Sequence, residues 1–370
     1  MSRLFLVGAA ILLLCAVPAR AVEKVDPARN VVETVAGGLD RPWAVALLPD
    51  GRKLLTEAPG RLKIVDAAGG VTSVSVEGLP PIHTGGQGGL MDVAVDPDFA
   101  TSSLVFLTMI YGTDDANNAR LVRARLAGDR LEDVRVLFDA TPKAGNSNNG
   151  ARIAFLPDRT LILTLGDGFD RREDAQDLSN HLGKLVRLDR DGNAPADNPF
   201  AGRPGAAPEI YSLGHRNVQG VVVDPDDGAI LVSEHGPRGG DEINRVRAGG
   251  NHGWPIVTGG LDYTFARVTP FRELPGYERP LLEWTPSIAP ASLALYDGAL
   301  FPEWRGALLV PALKERAVRV VRRANGRIVG EELLLAERGE RMRDVAVAPD
   351  GAILVLTDGE GAALLRVAPR

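Results

Sequence analysis

Six stretches of the chain repeat one pattern, an apolar strand, a turn built from Pro, Asp or Gly, and a second apolar strand, and nothing else in the sequence restricts the fold as much. They read WAVALLPDGRKLLTEA from Trp43, LMDVAVDPDFATSSLVFLTM from Leu90, ARIAFLPDRTLILTLGD from Ala151, QGVVVDPDDGAILVSEH from Gln219, ASLALYDGALFPEWRGALLVPAL from Ala291 and MRDVAVAPDGAILVLTDG from Met342. Pro-Asp and Asp-Gly between period-two or continuously apolar runs is hairpin chemistry, and one unit repeated in series marks a repeat architecture. Four units run on into a third apolar strand, from Arg61, Lys184, Ala317 and Ala363, so each unit forms one sheet. The fold expected is all-β, a six-bladed β-propeller, in preference to a pair of β-sandwiches. Asn30–Leu39 has no partner within its own repeat and is expected to complete the last blade, closing the ring and hiding its edges.

The units are spaced more widely than compact hairpins require, so loops are inserted between strands, and in a propeller long loops gather at one end of the channel. With 42 glycines and 26 prolines and no long stretch of helical period, the chain has the turn-rich composition this demands.

Residues 1–21 read as a secretory signal, with Arg3 as the basic start, Leu4 to Val17 as the apolar stretch and Ala19-Arg20-Ala21 as the cleavage site. The mature chain, 22–370, is then one propeller domain, expected in the periplasm or secreted. The apolar stretch falls short of the roughly 20 residues of a spanning helix and none comparable follows, so no membrane span is expected. Cys15, the only cysteine, lies inside the signal, which leaves no disulfide and no thiolate metal site. Cleavage takes the formal charge from −6 to −8, which argues against a nucleic-acid partner.

Six loop motifs, in order along these repeats, carry a resemblance to a known family. They are GGQGGLMDVAVDPDF from Gly85, YSLGHRNVQG from Tyr211, SEHGPRGGDEIN from Ser233, GGNHGWP from Gly249, ALKER from Ala312 and RGERMRDV from Arg338. Together they resemble the soluble pyrroloquinoline quinone (PQQ) dehydrogenases of the aldose and glucose/sorbosone type. The resemblance implies oxidation of an aldose or related sugar, with calcium-bound PQQ taking the hydride and an electron acceptor the sequence does not identify. It places Lys314, Arg341 and Arg343 at the carboxylates of the cofactor. Arg216 and Asn217 fall on the pair that contacts the quinone, and Gln87 lies near cofactor and sugar. The carbonyls of Gly236 and Pro237 would face the calcium ion at the cofactor. Asp241 and Glu242 match acids around a second, structural calcium, and a capped turn is an equal reading of that pair. His252 stands where the pattern has tyrosine.

One departure bears on activity. Counting back from Arg152 puts Asn148 where the family has the histidine that takes the sugar's hydroxyl proton. An amide has no proton affinity near neutral pH, so it holds a hydrogen bond but cannot act as a general base. Of the five histidines, only His83 and His215 lie in stretches expected to reach the same loop face, and His83, four residues before Gln87, is the candidate replacement. A catalytically weak or silent propeller binding quinone or sugar is therefore the alternative function, and a calcium-dependent lactone hydrolase a more distant one.

Overall fold

The computed structural model describes residues 22–370; the signal sequence and its cleavage site lie outside the described residues. Six sheets follow one another along the chain, and in each the strands pair in sequence order except where N-terminal strands join the fifth and sixth. The first blade holds Pro42–Leu47, Lys53–Glu57, Arg61–Val65 and Val71–Val74, and the second Leu90–Val95, Leu104–Gly112, Asn117–Ala127 and Arg130–Asp139. Gly150–Phe155, Leu161–Leu165, Lys184–Leu188 and Ile210–Leu213 make the third; Val218–Val223, Ile230–Glu234, Asp241–Val246 and Leu282–Trp284 make the fourth. The fifth is built from Ala294–Leu295, Leu308–Ala312, Ala317–Ala324 and Arg327–Leu334, and the sixth from Met342–Val347, Ile353–Thr357 and Glu360–Pro369. The chain is a six-bladed β-propeller.

Asn30–Asp40 supplies the outer strand of the sixth blade, antiparallel to Glu360–Pro369, as the unpartnered segment in the sequence required. The amide of Arg370 also donates to the Arg29 carbonyl at 2.9 Å, so the two ends of the ring are tied side by side. A second closure was not legible in the sequence. Glu23–Lys24 pairs parallel with Arg327–Leu334, adding a fifth strand to the fifth blade.

Strands packed between two neighbouring blades are covered on both faces and therefore need not alternate. Leu161–Leu165, Leu308–Ala312 and Ile353–Thr357 are buried along their whole length. The first strands carry a shared irregularity: the ladder to the second strand slips near its start in the first, second, third, fourth and sixth blades. Hydroxyls use the gap to join blade to blade. The Asp92 amide donates to Thr108 Oγ1 at 2.8 Å, and that hydroxyl donates to the Ala151 carbonyl of the next blade at 2.7 Å. Thr56 reaches Met91, Thr164 reaches Val218 and Ser233 reaches Ser292 in the same way. Each is a buried hydrogen bond of about 0.5–1.5 kcal/mol, set where apolar packing alone would leave carbonyls unpaired.

The channel is plugged by Arg152. Its guanidinium donates to the carbonyls of Gln219 (2.8 Å) and Ala291 (2.9 Å) and approaches Asp92 (3.1 Å) and Asp344 (3.3 Å). It also lies 3.9 Å from the centre of the Trp43 ring. One side chain of the third blade thus touches the first, second, fourth and sixth blades and the entry to the fifth. Burial, with Asp344 close by, pushes Asp92 up to about 6 although Arg152 opposes it.

Candidate active site

At the end of the channel where first strands begin and second strands end, the inter-strand loops enclose a cavity of about 300 Å³. Trp43, Met91 and Leu313 give it apolar walls, and Gln87, Asn149, Asn217 and Gln219 give it amides. Arg341 and Arg343 stand on one side with Asp358. Spaced two apart, both arginines point the same way, as a strand requires. Asp358 receives Arg341 Nε at 2.7 Å and Arg343 Nε and Nη2 at 2.9 and 2.8 Å. Two guanidiniums against one carboxylate leave a net positive charge on this wall. Burial, with Arg152 and Arg341 nearby, pulls Arg343 below its usual pKa despite Asp358, so a further anion at this wall would be stabilising.

The sequence-derived residues are distributed as follows. Gln87, Asn217, Arg341 and Arg343 line the cavity. Gln87 is held at both ends, its amide donating to the Asn146 carbonyl (2.8 Å) and its Oε1 accepting from the Asn148 amide (2.9 Å). Asn217 Oδ1 accepts from the Gly150 amide at 3.1 Å and from Gln219 at 3.0 Å, which leaves its amino group for the cavity. Lys314 is exposed and does not line the cavity, although its neighbour Leu313 does. Arg216 lines a small adjoining void and donates to the carbonyls of His235 (3.2 Å) and Gly236 (2.9 Å), with Trp254 beside it.

Asn148 is not among the residues that line the cavity. Its backbone is left-handed, at φ 51°, and its side-chain amide nitrogen donates to Asp167 Oδ1 at 2.8 Å. Asn149 lines the cavity instead, and its buried Oδ1 has no hydrogen-bond partner. Asp167 binds Asn148, the Phe169 amide (2.8 Å) and Trp254 Nε1 (2.8 Å); burial raises its pKa and Arg216 opposes that.

The histidine expectations need correction. His83 does not line the cavity, because its Nε2 is engaged by Asn146 Oδ1 at 2.9 Å and Asp114 at 3.2 Å behind the Gly85–Gly88 turn. His215 is fully buried between Ser212 (2.8 Å) and Glu234 (3.1 Å). The imidazole that does reach the cavity is His235, whose Nε2 donates to the Pro290 carbonyl at 2.7 Å. Burial lowers its pKa, with Arg216 and Arg343 adding to the effect.

Of the two acids assigned to a calcium ion, Asp241 is fully occupied. Its carboxylate accepts from the Gly236 amide (2.9 Å), Ser287 Oγ (2.6 Å) and the amides of Ile288 (2.7 Å) and Ala289 (2.8 Å). Four donors use the lone pairs of a carboxylate, so Asp241 organises the His235–Gly240 turn rather than standing free as a ligand. Glu242 is different. Burial and the nearby Glu234 push its pKa well above the carboxylate range, with Glu283 and Asp241 adding to the effect. It borders a void of about 20 Å³ together with Glu234, Thr258 and His252, the last with neither ring nitrogen bonded. That is room for a single ion or water. Among the described residues no three His, Cys, Asp or Glu side chains converge as a metal-binding group, so an ion there would also depend on carbonyls.

The glucose/sorbosone dehydrogenase family model matches residues 39–366, from the outer strand that closes the ring to its partner in the last blade. The chain belongs to this family. Within it, the chain is 39% identical over 351 residues to the aldose sugar dehydrogenase YliI of Escherichia coli, covering 93% of this chain and 94% of that one. It is 27% identical over 413 residues to quinoprotein glucose dehydrogenase B of Acinetobacter calcoaceticus, covering 89% and 85%. The PQQ-bound aldose sugar dehydrogenase of Streptomyces coelicolor superposes with a TM-score of 0.75 at 27% identity, over 94% of this chain and all of that one. In this glucose/sorbosone dehydrogenase family member, then, Asn149, Asp167, Gln219, His235 and Asp358 are the site residues that motif reading passed over. Gln219 and His235 sat in family motifs singled out beforehand; the other three did not.

Proposed function

We propose that the protein oxidises the hydroxyl carbon of an aldose with PQQ as the hydride acceptor and calcium at the cofactor. The single observation that carries the reading is the cationic, amide-lined cavity at one mouth of the propeller. A flat tricarboxylated quinone needs cations at its edge, hydrogen-bond donors at its ring oxygens and apolar faces. Arg341 and Arg343 would hold carboxylates, Asn217 and Asn149 the polar edges, and Trp43 and Met91 a face. When bound, the quinone supplies a two-electron acceptor that no side chain can replace. Charge-assisted hydrogen bonds are the strong kind, which is why arginines suit this wall.

Calcium takes carbonyl and carboxylate oxygens in flexible geometry. The Gly236 carbonyl accepts one bond from Arg216 and keeps a second lone pair that would suit an ion at the cofactor, and the family resemblance adds the Pro237 carbonyl beside it. Glu242 fits a second, structural ion, which would neutralise a carboxylate now crowded by acids.

Removal of the hydroxyl proton is where this chain is weakly equipped. With the Asn148 amide bound to Asp167, no base stands at that position, and the absence costs about 10²- to 10⁴-fold by the usual scale of acid–base catalysis. A second reading, a propeller that binds quinone and sugar with little turnover, rests on this geometry. The chain is further proposed to act outside the cytoplasm after cleavage near Ala21, which N-terminal sequencing of the exported protein would check. No helix of the described residues is long and apolar enough to cross a membrane.

The test is reconstitution of the mature protein with PQQ and calcium. Bound quinone that is reduced when aldoses are added supports the dehydrogenase, bound quinone that stays oxidised supports the second reading, and no binding rejects both.

A further inference from the structure

At the end of the propeller away from the cofactor cavity, where first strands end and second strands begin, a cavity of about 510 Å³ opens at the seam between the first and sixth blades. The repeats themselves mark this place as unusual. In every blade one residue near the start of the second strand pairs with the last residue of the first strand, and in five blades it is aliphatic and buried: Val105, Leu161, Ile230, Leu308 and Ile353. In the first blade the same register, opposite Leu47, holds Lys53. That lysine is half-buried, lines the cavity and makes no ion pair among the described residues, whereas Lys63 on the next strand is held by Glu57 at 3.0 Å. An ammonium set where the repeat buries an aliphatic side chain costs free energy and, lacking a counter-ion, returns none to the fold. A local departure from a pattern that the rest of the chain keeps points to a ligand.

The walls are shaped around the lysine. The strand Asn30–Asp40 bulges at Val35, where its ladder slips between Thr34 and Ala36. The turn at Gly69, left-handed at φ 87°, presses on the Val35 carbonyl so closely that a Cβ there would come within 2.4 Å of it. Val35, Leu47, Pro349 and Leu354 give the cavity an apolar lining. Arg366 stands at the rim between Asp350 at 2.6 Å and Glu33 at 3.7 Å, both acids more than half exposed. The acids thus meet their cation in water, and the charge left without a partner is that of Lys53. A carboxylate would answer it with a charge-assisted hydrogen bond, and a hydrocarbon body would cover the apolar lining.

We propose that this seam is a binding site for a small amphipathic carboxylic acid, with its carboxylate on Lys53 and its hydrocarbon body along Val35, Leu47 and Leu354. The site stands apart from the quinone chemistry at the other mouth and needs no cofactor. Octanoate is the probe, titrated calorimetrically into the mature protein. Lys53→Leu installs the kind of residue the other blades carry, so the variant should fold and melt no lower than wild type. Its Kd for octanoate should be about 10- to 100-fold larger, while Lys53→Arg, which keeps the charge, should stay within about threefold of wild type. 1-Octanol should bind wild type about tenfold more weakly than octanoate, and Lys53→Leu should leave the octanol value unchanged.

No octanoate binding, equal affinities for octanoate and octanol, or an octanoate Kd that Lys53→Leu leaves unchanged would each overturn the assignment. An N-acetylated peptide ending in leucine that binds more tightly than octanoate, and loses that affinity in Lys53→Leu, would overturn it as well, by making the seam a receptor for a peptide C-terminus.

Discussion

Replacing Arg152 by methionine should be the most damaging single change in the channel. The substitution keeps much of the aliphatic stem but removes a charge facing Asp92 and Asp344, both buried, and two donors to carbonyls of the fourth and fifth blades. Stripping the partner from a buried ion pair costs about 3–5 kcal/mol. With about 2.1 cal/mol/K of unfolding entropy per residue, a chain of this size loses about 1 °C of Tm for each 0.7 kcal/mol, which gives a fall of roughly 4–7 °C. Differential scanning calorimetry at pH 7.5 would measure it. A pH signature follows from Asp92, whose pKa in the fold is about 6 with the arginine present. Without Arg152 that carboxyl is raised further, so the folded variant holds a proton that the unfolded chain gives up. Its stability deficit should therefore shrink as the pH is lowered toward 6 and stay level below that, where wild type takes up the same proton. Adding Asp92→Asn to Arg152→Met should recover part of the loss, because one stranded carboxylate is gone. A Tm within about 1 °C of wild type, or a deficit independent of pH, would refute the account of Arg152 as the charge that holds the channel together.

Asn148→His should raise PQQ-dependent aldose oxidation by about 10²-fold or more, because histidine tolerates the left-handed backbone and Asp167 is in place to accept its ring N–H; steady-state kinetics at saturating cofactor would show no gain if the loop geometry is misread. Arg343→Ala should weaken quinone binding by about 1.5–3 kcal/mol, seen as a 10- to 100-fold larger Kd by fluorescence titration, and an unchanged Kd would remove Arg343 from the cofactor wall. Lys184 is fully buried, and burial pulls it down to about 7 although its ammonium donates to the carbonyls of Asp174 and Leu182. Between pH 7 and 10.5 the folded state has released a proton the unfolded chain still binds, so wild-type stability should gain on that of Lys184→Met across this window; parallel curves from urea titrations would count against it.

Sequence reading recovered what depends on period and order. Hairpin turns, strand alternation and the unpartnered Asn30 segment were enough for six blades and the ring closure, because register in a buried sheet is set by which residues face inward. It did not recover Glu23–Lys24, since two residues carry no period. In the site, motif order brought Gln87, Asn217, Arg341 and Arg343 to one cavity. It settled on Asn148 by counting back from Arg152 and passed over Asn149, the amide that lines the cavity. Nor could it see that Asp241 is consumed by four donors or that His235, and not His83, reaches the wall: those depend on hydrogen bonds between loops far apart in sequence.

The sixth blade is assembled from both ends of the described chain, with Asn30–Asp40 against Glu360–Pro369. During synthesis the first of these strands emerges early and waits for nearly the whole chain before its partner exists. Until then its ladder groups are unpaired, and so are those of the strand beside which the late segment will dock. An intermediate with five finished blades is thus a molecule with complementary open edges, able to pair with another copy as readily as with itself. The same juxtaposition makes the ring indifferent to where it is cut. With Arg29 and Arg370 in contact, a short linker there and new ends opened in a turn of another blade should preserve every ladder while letting the sixth blade form as a local unit, and such a permutant would be expected to refold with less aggregation at high concentration.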